Sequence, residues 1–122
     1  EVAFKVLAER DDVQKVVWVN ADGESGLPYD ITLFLNDDLA QKVFVEVKTT
    51  SQRPQFGHTH MNACHISLEE LNFALVKGNS YWVCRVLGAL SEDVKIVVFK
   101  DLASRLLRSQ AQLLVDLPFE SL

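Results

Sequence analysis

The sequence predicts a single α/β domain in which a mixed β-sheet is flanked by helices. Three observations carry that prediction. Several short segments are dense in Val, Ile, Phe, Tyr and Trp, the composition of strands. Other segments repeat apolar residues at helical spacing behind residues suited to capping. Their order along the chain reads α-β-β-β-α-β-β-α, with no internal repeat and no composition shift to mark a boundary within residues 1–122. A 48% apolar content excludes a disordered chain, and 5 Gly with 3 Pro exclude collagen-like or low-complexity character.

Residues 2–8, VAFKVLA, form the first helix and stop at the polar run ERDD. VQKVVWV (13–19) is the first strand, and NADGESGLP (20–28) collects turn formers into a loop. YDITLFLN (29–36) and KVFVEVKTT (42–50) are the next two strands, and their short polar connection makes them an antiparallel hairpin. The stretch 51–66, SQRPQFGHTHMNACHI, has no regular period. Ser67-Leu68-Glu69-Glu70 fits a capping box at the start of a helix, with Leu71, Ala74 and Leu75 on its buried stripe and Gly78 at its C-cap. SYWVCRVL (80–87) and DVKIVVFK (93–100) are two further strands, and Asp101 caps a last helix through LASRLLRSQ.

Seventeen acids against 12 basic residues give a formal charge of −5, which argues against a free-standing domain that grips phosphate backbones through a basic surface. Two cysteines, Cys64 and Cys84, are too few for a disulfide scaffold, which points to a reducing intracellular setting, nucleus or cytoplasm. Arg85 interrupts the longest apolar run, so no membrane span of ~20 residues is expected. A chain that starts at Glu1 within a helix, without an initiator Met or signal peptide, reads as a piece of a larger multidomain protein.

The third strand carries the chemistry. Side chains alternate along a strand, so Val43, Val45 and Val47 share one face while Phe44, Glu46 and Lys48 share the other. A carboxylate beside an ammonium on an otherwise apolar strand is costly unless that face is solvated or the charges serve a site. On the preceding strand Asp30 shares a face with Thr32 and Phe34, and a tight hairpin could carry it near Glu46. Two converging carboxylates with a neighbouring Lys suit Mg²⁺-dependent phosphodiester hydrolysis, since Mg²⁺ takes hard oxygen ligands and few carboxylates. The triplet alone is weak: 17 acids and seven lysines predict about one acid-x-Lys by chance. Asp93-Val94-Lys95 is a second copy, read as a decoy because no acidic strand precedes it in hairpin register. On spacing alone, a solvated strand face outweighs a catalytic one.

An apolar helix followed by ESGLPYDI, VFVEVKTT and HISLEELNFALVKGNSYWVCRV resembles the NO VEIN C-terminal domain family over nearly the whole chain. The series YDI…EVKTT…IS-x-x-E…Y-x-x-x-RV carries the resemblance as a set. The family is regarded as a branch of the restriction-endonuclease-like PD-(D/E)xK superfamily. The resemblance therefore implies an αβββαβ core with an extra strand and a C-terminal helix. It also implies a nucleic-acid phosphodiester substrate, Mg²⁺ (or Mn²⁺), and catalytic residues at Asp30, Glu46 and Lys48. Asp30 and Glu46 would be metal ligands, with Glu1 on the first helix completing the set. The implied context is the end of a large protein, beside ATPase, helicase or restriction components. The Pro of the superfamily name stands at Pro28, one residue further from Asp30 than the name implies. Members of such folds also serve as silent binding modules, so a catalytically inactive nucleic-acid- or protein-binding domain is the alternative reading, and a purely protein-binding domain a third.

The remaining constellations read more simply. His58, His60, Cys64 and His65 crowd together, but H-x-H-x-x-x-C-H matches no standard zinc spacing and reads as loop. Ser67 and Glu70 fit the family series, while their capping geometry explains them without chemistry. Arg53 and Arg85 read as snorkelling surface charges ahead of phosphate contacts. Cys84, Trp18 and Trp82 read as packed strand residues ahead of a nucleophile or base-stacking platforms. No Cys-His or Ser-His-Asp signature is present, and NADGESGLP lacks the Gly-Lys-Ser/Thr of a P-loop.

Overall fold

A computed structural model describes residues 2–20, 23, 26–36, 41–50 and 63–114. Within them α1 (Val2–Ala8) leads into β1 (Val13–Trp18), β2 (Ile31–Leu35) and β3 (Lys42–Thr49). Next come α2 (Leu68–Lys77), a 3-10 turn (Gly78–Ser80), β4 (Tyr81–Leu87), β5 (Lys95–Lys100) and α3 (Leu102–Leu107). This is the predicted order, with strand ends trimmed by a few residues. The five strands form one sheet in chain order, β1-β2-β3-β4-β5. Every neighbouring pair is antiparallel except β3 and β4, which are parallel. That exception follows from the connection: an antiparallel return can be short, whereas a parallel one needs a crossover, here carried by α2.

Each face of the sheet has its own core. On one face α1 packs Ala3 and Leu7 onto Ile31, Leu33, Val43, Val45, Trp82, Cys84 and Val86. The other face gathers Ala74, Tyr81 and Val83 with Tyr29, Phe44, Phe73, Phe99 and Leu102. The alternation along β3 predicted this division: Val43 and Val45 lie under α1, and Phe44 faces α2. β4 has a strand on each side and a covered face above and below, so all seven of its residues are buried.

Three local expectations are corrected. Leu75 is 53% exposed, because the buried side of α2 centres on Phe73 and Ala74, and Leu75 turns past its edge. Trp18 is 37% exposed: β1 is an edge strand, and the indole rests on the Phe4 ring with centroids 5.9 Å apart. Arg85 is 3% exposed and no snorkelling surface charge, since β4 is an interior strand covered on both faces and the guanidinium is tied to the Lys48 and Ala63 carbonyls.

The capping box at Ser67 is complete. The Glu70 N–H donates to Ser67 Oγ at 3.1 Å, and the Ser67 N–H donates to Glu70 Oε1 at 2.8 Å. Ser67→Ala leaves the Glu70 N–H without its acceptor and is expected to cost about 1 kcal/mol, read as a lower urea midpoint with unchanged slope.

Candidate functional site: an acid–lysine cluster between the third strand and the second helix

Glu46 and Lys48 project from the same face of β3 as Phe44, the face covered by α2. Glu46 is only 7% exposed. The Lys48 ammonium lies 3.3 Å from Glu46 Oε1. It donates to Glu70 Oε1 at 2.9 Å and to Glu70 Oε2 at 3.2 Å. Glu70 is held for this contact by the cap, because its Oε1 also accepts the Ser67 N–H. The two readings of Ser67-x-x-Glu70 therefore coincide: the capping box starts α2 and aims a carboxylate at Lys48.

Asp30 precedes β2 and is fastened through main chain and side chain alike. Its N–H donates to the Val45 carbonyl at 2.9 Å, and its own carbonyl accepts the Val19 N–H at 2.9 Å. Oδ2 accepts the Val47 N–H at 2.9 Å, and Oδ1 accepts Asn20 Nδ2 at 2.7 Å. The Asp30 carboxylate is thus anchored to the residue between Glu46 and Lys48.

Two carboxyl groups, Glu46 and Glu70, face one ammonium, the Asp30 charge acts on Glu46, and the electrostatics reflect it. Glu46 is pushed up to about 9, first by burial, then by its hydrogen bond to Glu70 and the charges of Asp30 and Glu70, against a smaller opposing pull from Lys48. Burial also pushes Glu70 upward, but hydrogen bonds with Glu46, Ser67 and Lys48 hold it below its ordinary value. Burial lowers Lys48, and its partners Glu70 and Glu46 more than reverse that. At neutral pH the cluster is therefore a protonated Glu46, an ionised Glu70 and a charged Lys48.

Beneath the cluster, Tyr29, Phe44, Phe73 and Tyr81 stack edge and face, with successive centroids 4.8–5.8 Å apart. Tyr81 hydroxyl donates to the Pro28 carbonyl at 3.4 Å, and burial pushes its ionisation upward. This aromatic floor supplies the low-polarity surroundings that raise Glu46.

The structure brings Asp30, Glu46 and Lys48 together and adds Glu70, with Ser67 as its support. Glu1, Arg53, His58 and His60 lie outside the described residues. Cys64 and His65 are exposed, and among the described residues no group of three His, Cys, Asp or Glu is placed to hold a metal. Cys84 is a core residue whose thiol is pushed up to about 11 by burial, unsuited to a nucleophile. Asp93 and Lys95 are both exposed beside the turn before β5, as expected of a decoy. Sequence reasoning missed Asn20, which secures Asp30; no spacing rule marks a loop amide for that role.

The donor chemistry of Asp30 and Glu46 fits a hard divalent cation. Asp30 offers carboxylate oxygens and Glu46 would do so once ionised, and Mg²⁺ commonly takes no more than one or two protein carboxylates. The upward push on Glu46 comes first from burial and then from its carboxylate neighbours Glu70 and Asp30, and a cation would offset the second contribution. Glu70 is already committed to Lys48 and Ser67.

The sequence model of the family described as "Protein NO VEIN, C-terminal" matches residues 1–99. Two proteins of Arabidopsis thaliana are similar: Protein NO VEIN-LIKE, 35% identical over 88 residues, and Protein NO VEIN, 34% identical over 88 residues. Each match covers 71% of this chain but only 12% and 3% of those much longer proteins. No solved structure matches.

Proposed function

The chain belongs to the NO VEIN C-terminal family, and from that premise we propose that it is a PD-(D/E)xK-type nuclease-like domain that hydrolyses nucleic-acid phosphodiesters with Mg²⁺ or Mn²⁺. One observation carries the reading. Glu46 and Lys48 stand side by side on β3, while Asp30 is hydrogen-bonded to the Val47 N–H between them. The element order, with a helix, three strands, a helix and a parallel fourth strand, is the one expected of a restriction-endonuclease-like core.

In this reading Asp30 and Glu46 would hold the cation, which would supply Lewis-acid activation of water and charge neutralisation at the phosphoryl oxygens when bound. Glu46, held protonated chiefly by burial, would have to ionise to serve as a ligand, and a positive charge beside it would favour that ionised form. Lys48 directs its ammonium toward the developing negative charge. Glu70 orients Lys48 while leaving it charged, since the pair raises the ammonium above its ordinary value. Asn20 and the Val47 N–H hold the Asp30 carboxylate in one orientation. The parent protein's other domains would supply the basic surface that a chain of charge −5 lacks.

The test is direct. Single- and double-stranded DNA and RNA are incubated with the chain and Mg²⁺ or Mn²⁺. Cleavage is expected, together with its loss in folded Asp30→Asn and Lys48→Ala. Intact substrates under every condition would remove the enzyme reading. One observation favours the silent binding module instead: the Lys48 ammonium is already satisfied by Glu70. Nucleic-acid binding that survives Glu46→Gln, without turnover in the wild type, would establish that alternative.

A further inference from the structure

Arg85 lies opposite Lys48 in the parallel register of β3 and β4. Its Nη1 donates to the Lys48 carbonyl at 2.9 Å, and its Nη2 donates to the Ala63 carbonyl at 3.3 Å. Its Nε is buried without a partner among the described residues, where Arg85 also forms no ion pair. A guanidinium held only by carbonyls loses hydration that no carboxylate restores, and an unmade Nε bond adds to the cost. An apolar side chain of similar size would avoid both costs. What the guanidinium provides is geometric: a rigid planar fork that ties two separate stretches of main chain together.

Both of those stretches lead to the acid–lysine cluster. Lys48 is the residue whose ammonium meets Glu46 and Glu70. Ala63 begins the described run that reaches Ser67, whose N–H holds Glu70. The Lys48–Glu70 pair closes the same circuit from the side-chain direction.

The geometry points to Arg85 as a positioning residue: its fork fixes the Lys48 main chain against the Ala63 approach to α2, and so sets where the Lys48 ammonium meets Glu46 and Glu70. The placement stands on the structure alone, while its consequence for phosphodiester chemistry rests on the proposed function.

The test observes the Lys48 ammonium by ¹⁵N NMR of lysine side chains in the full chain, assigned with Lys48→Arg. Wild type, Arg85→Gln and Arg85→Lys are compared, each with a thermal melt. In the wild type the Lys48 ammonium hydrogens are expected to exchange with water more slowly than those of exposed Lys95. In folded Arg85→Gln they are expected to exchange roughly tenfold faster, as for a contact that opens more often. Arg85→Lys, which keeps the charge without the fork, is expected not to restore slow exchange.

Unchanged exchange in folded Arg85→Gln overturns the inference, as does wild-type exchange as fast as that of Lys95. Full rescue by Arg85→Lys overturns the fork in favour of simple charge. Unfolding of both variants makes Arg85 a stability element and likewise overturns the inference. If the expected changes occur in a chain that cleaves nothing, the positioning role stands and the nuclease reading falls.

Discussion

Glu46→Gln is expected to stabilise the metal-free chain by up to about 3 kcal/mol at pH 7, while abolishing cation-dependent activity. The folded state holds the Glu46 carboxyl at about 9, against an ordinary value of 4.5. Between those values the folded chain keeps a proton that the unfolded chain has released. The sign follows: the contribution of Glu46 is complete below pH 4.5 and is lost as pH rises toward and through 9. Gln mimics the protonated side chain, and its amide can donate to Glu70 without a proton being taken up. The gain should therefore be near zero at pH 4 and grow as pH rises through neutrality.

Urea denaturation at several pH values measures this directly. A variant no more stable than wild type at pH 8 would refute the electrostatic account of the cluster. Added Mg²⁺ or Mn²⁺ should raise the melting temperature of the wild type and leave Glu46→Gln unmoved. A residue that costs stability when its site is empty, and is favoured once a cation binds, is expected of a binding site and not of a packed core.

Lys48→Met is expected to destabilise the chain by about 2 kcal/mol, with the loss larger at pH 8 than at pH 5. Lys48 is the ammonium that Glu70 and Glu46 share. Without it, both carboxyls lose the interaction that favours their ionised form, so the folded state resists their ionisation more strongly. At pH 5 the unfolded chain also carries part of that proton load, which shrinks the difference. Partial solvent access to Lys48 keeps the effect well below that of a fully buried ion pair. A double-mutant cycle with Glu70→Gln isolates the pair; a coupling indistinguishable from zero would mean that Lys48 and Glu70 are neighbours without being partners.

Much of this site is legible in the sequence. Alternation along KVFVEVKT placed Glu46 and Lys48 on one face, because strand geometry permits no other arrangement. The short β2–β3 connection brought Asp30 to the same strand, because antiparallel pairing follows from a short return. Ser67 and Glu70 were legible as a cap, because capping is a local event within one helical turn. The second use of Glu70 was not legible, since its contact with Lys48 spans 22 positions and depends on where α2 crosses the sheet.

What the sequence determined by itself, besides the family, is the set of short-range facts. The order of elements, the two faces of β3 and the start of α2 make up that set. Each depends on residues a few positions apart, where backbone geometry leaves few choices. What only the tertiary structure decided is burial and charge balance. The parallel register set Arg85 beside Lys48 and made a nominal surface charge a buried one. The packing of α2 over an aromatic floor turned an ordinary glutamate into one that keeps its proton at neutral pH. Desolvation and Coulomb energy depend on what surrounds a group in space, and those surroundings are assembled from distant parts of the chain.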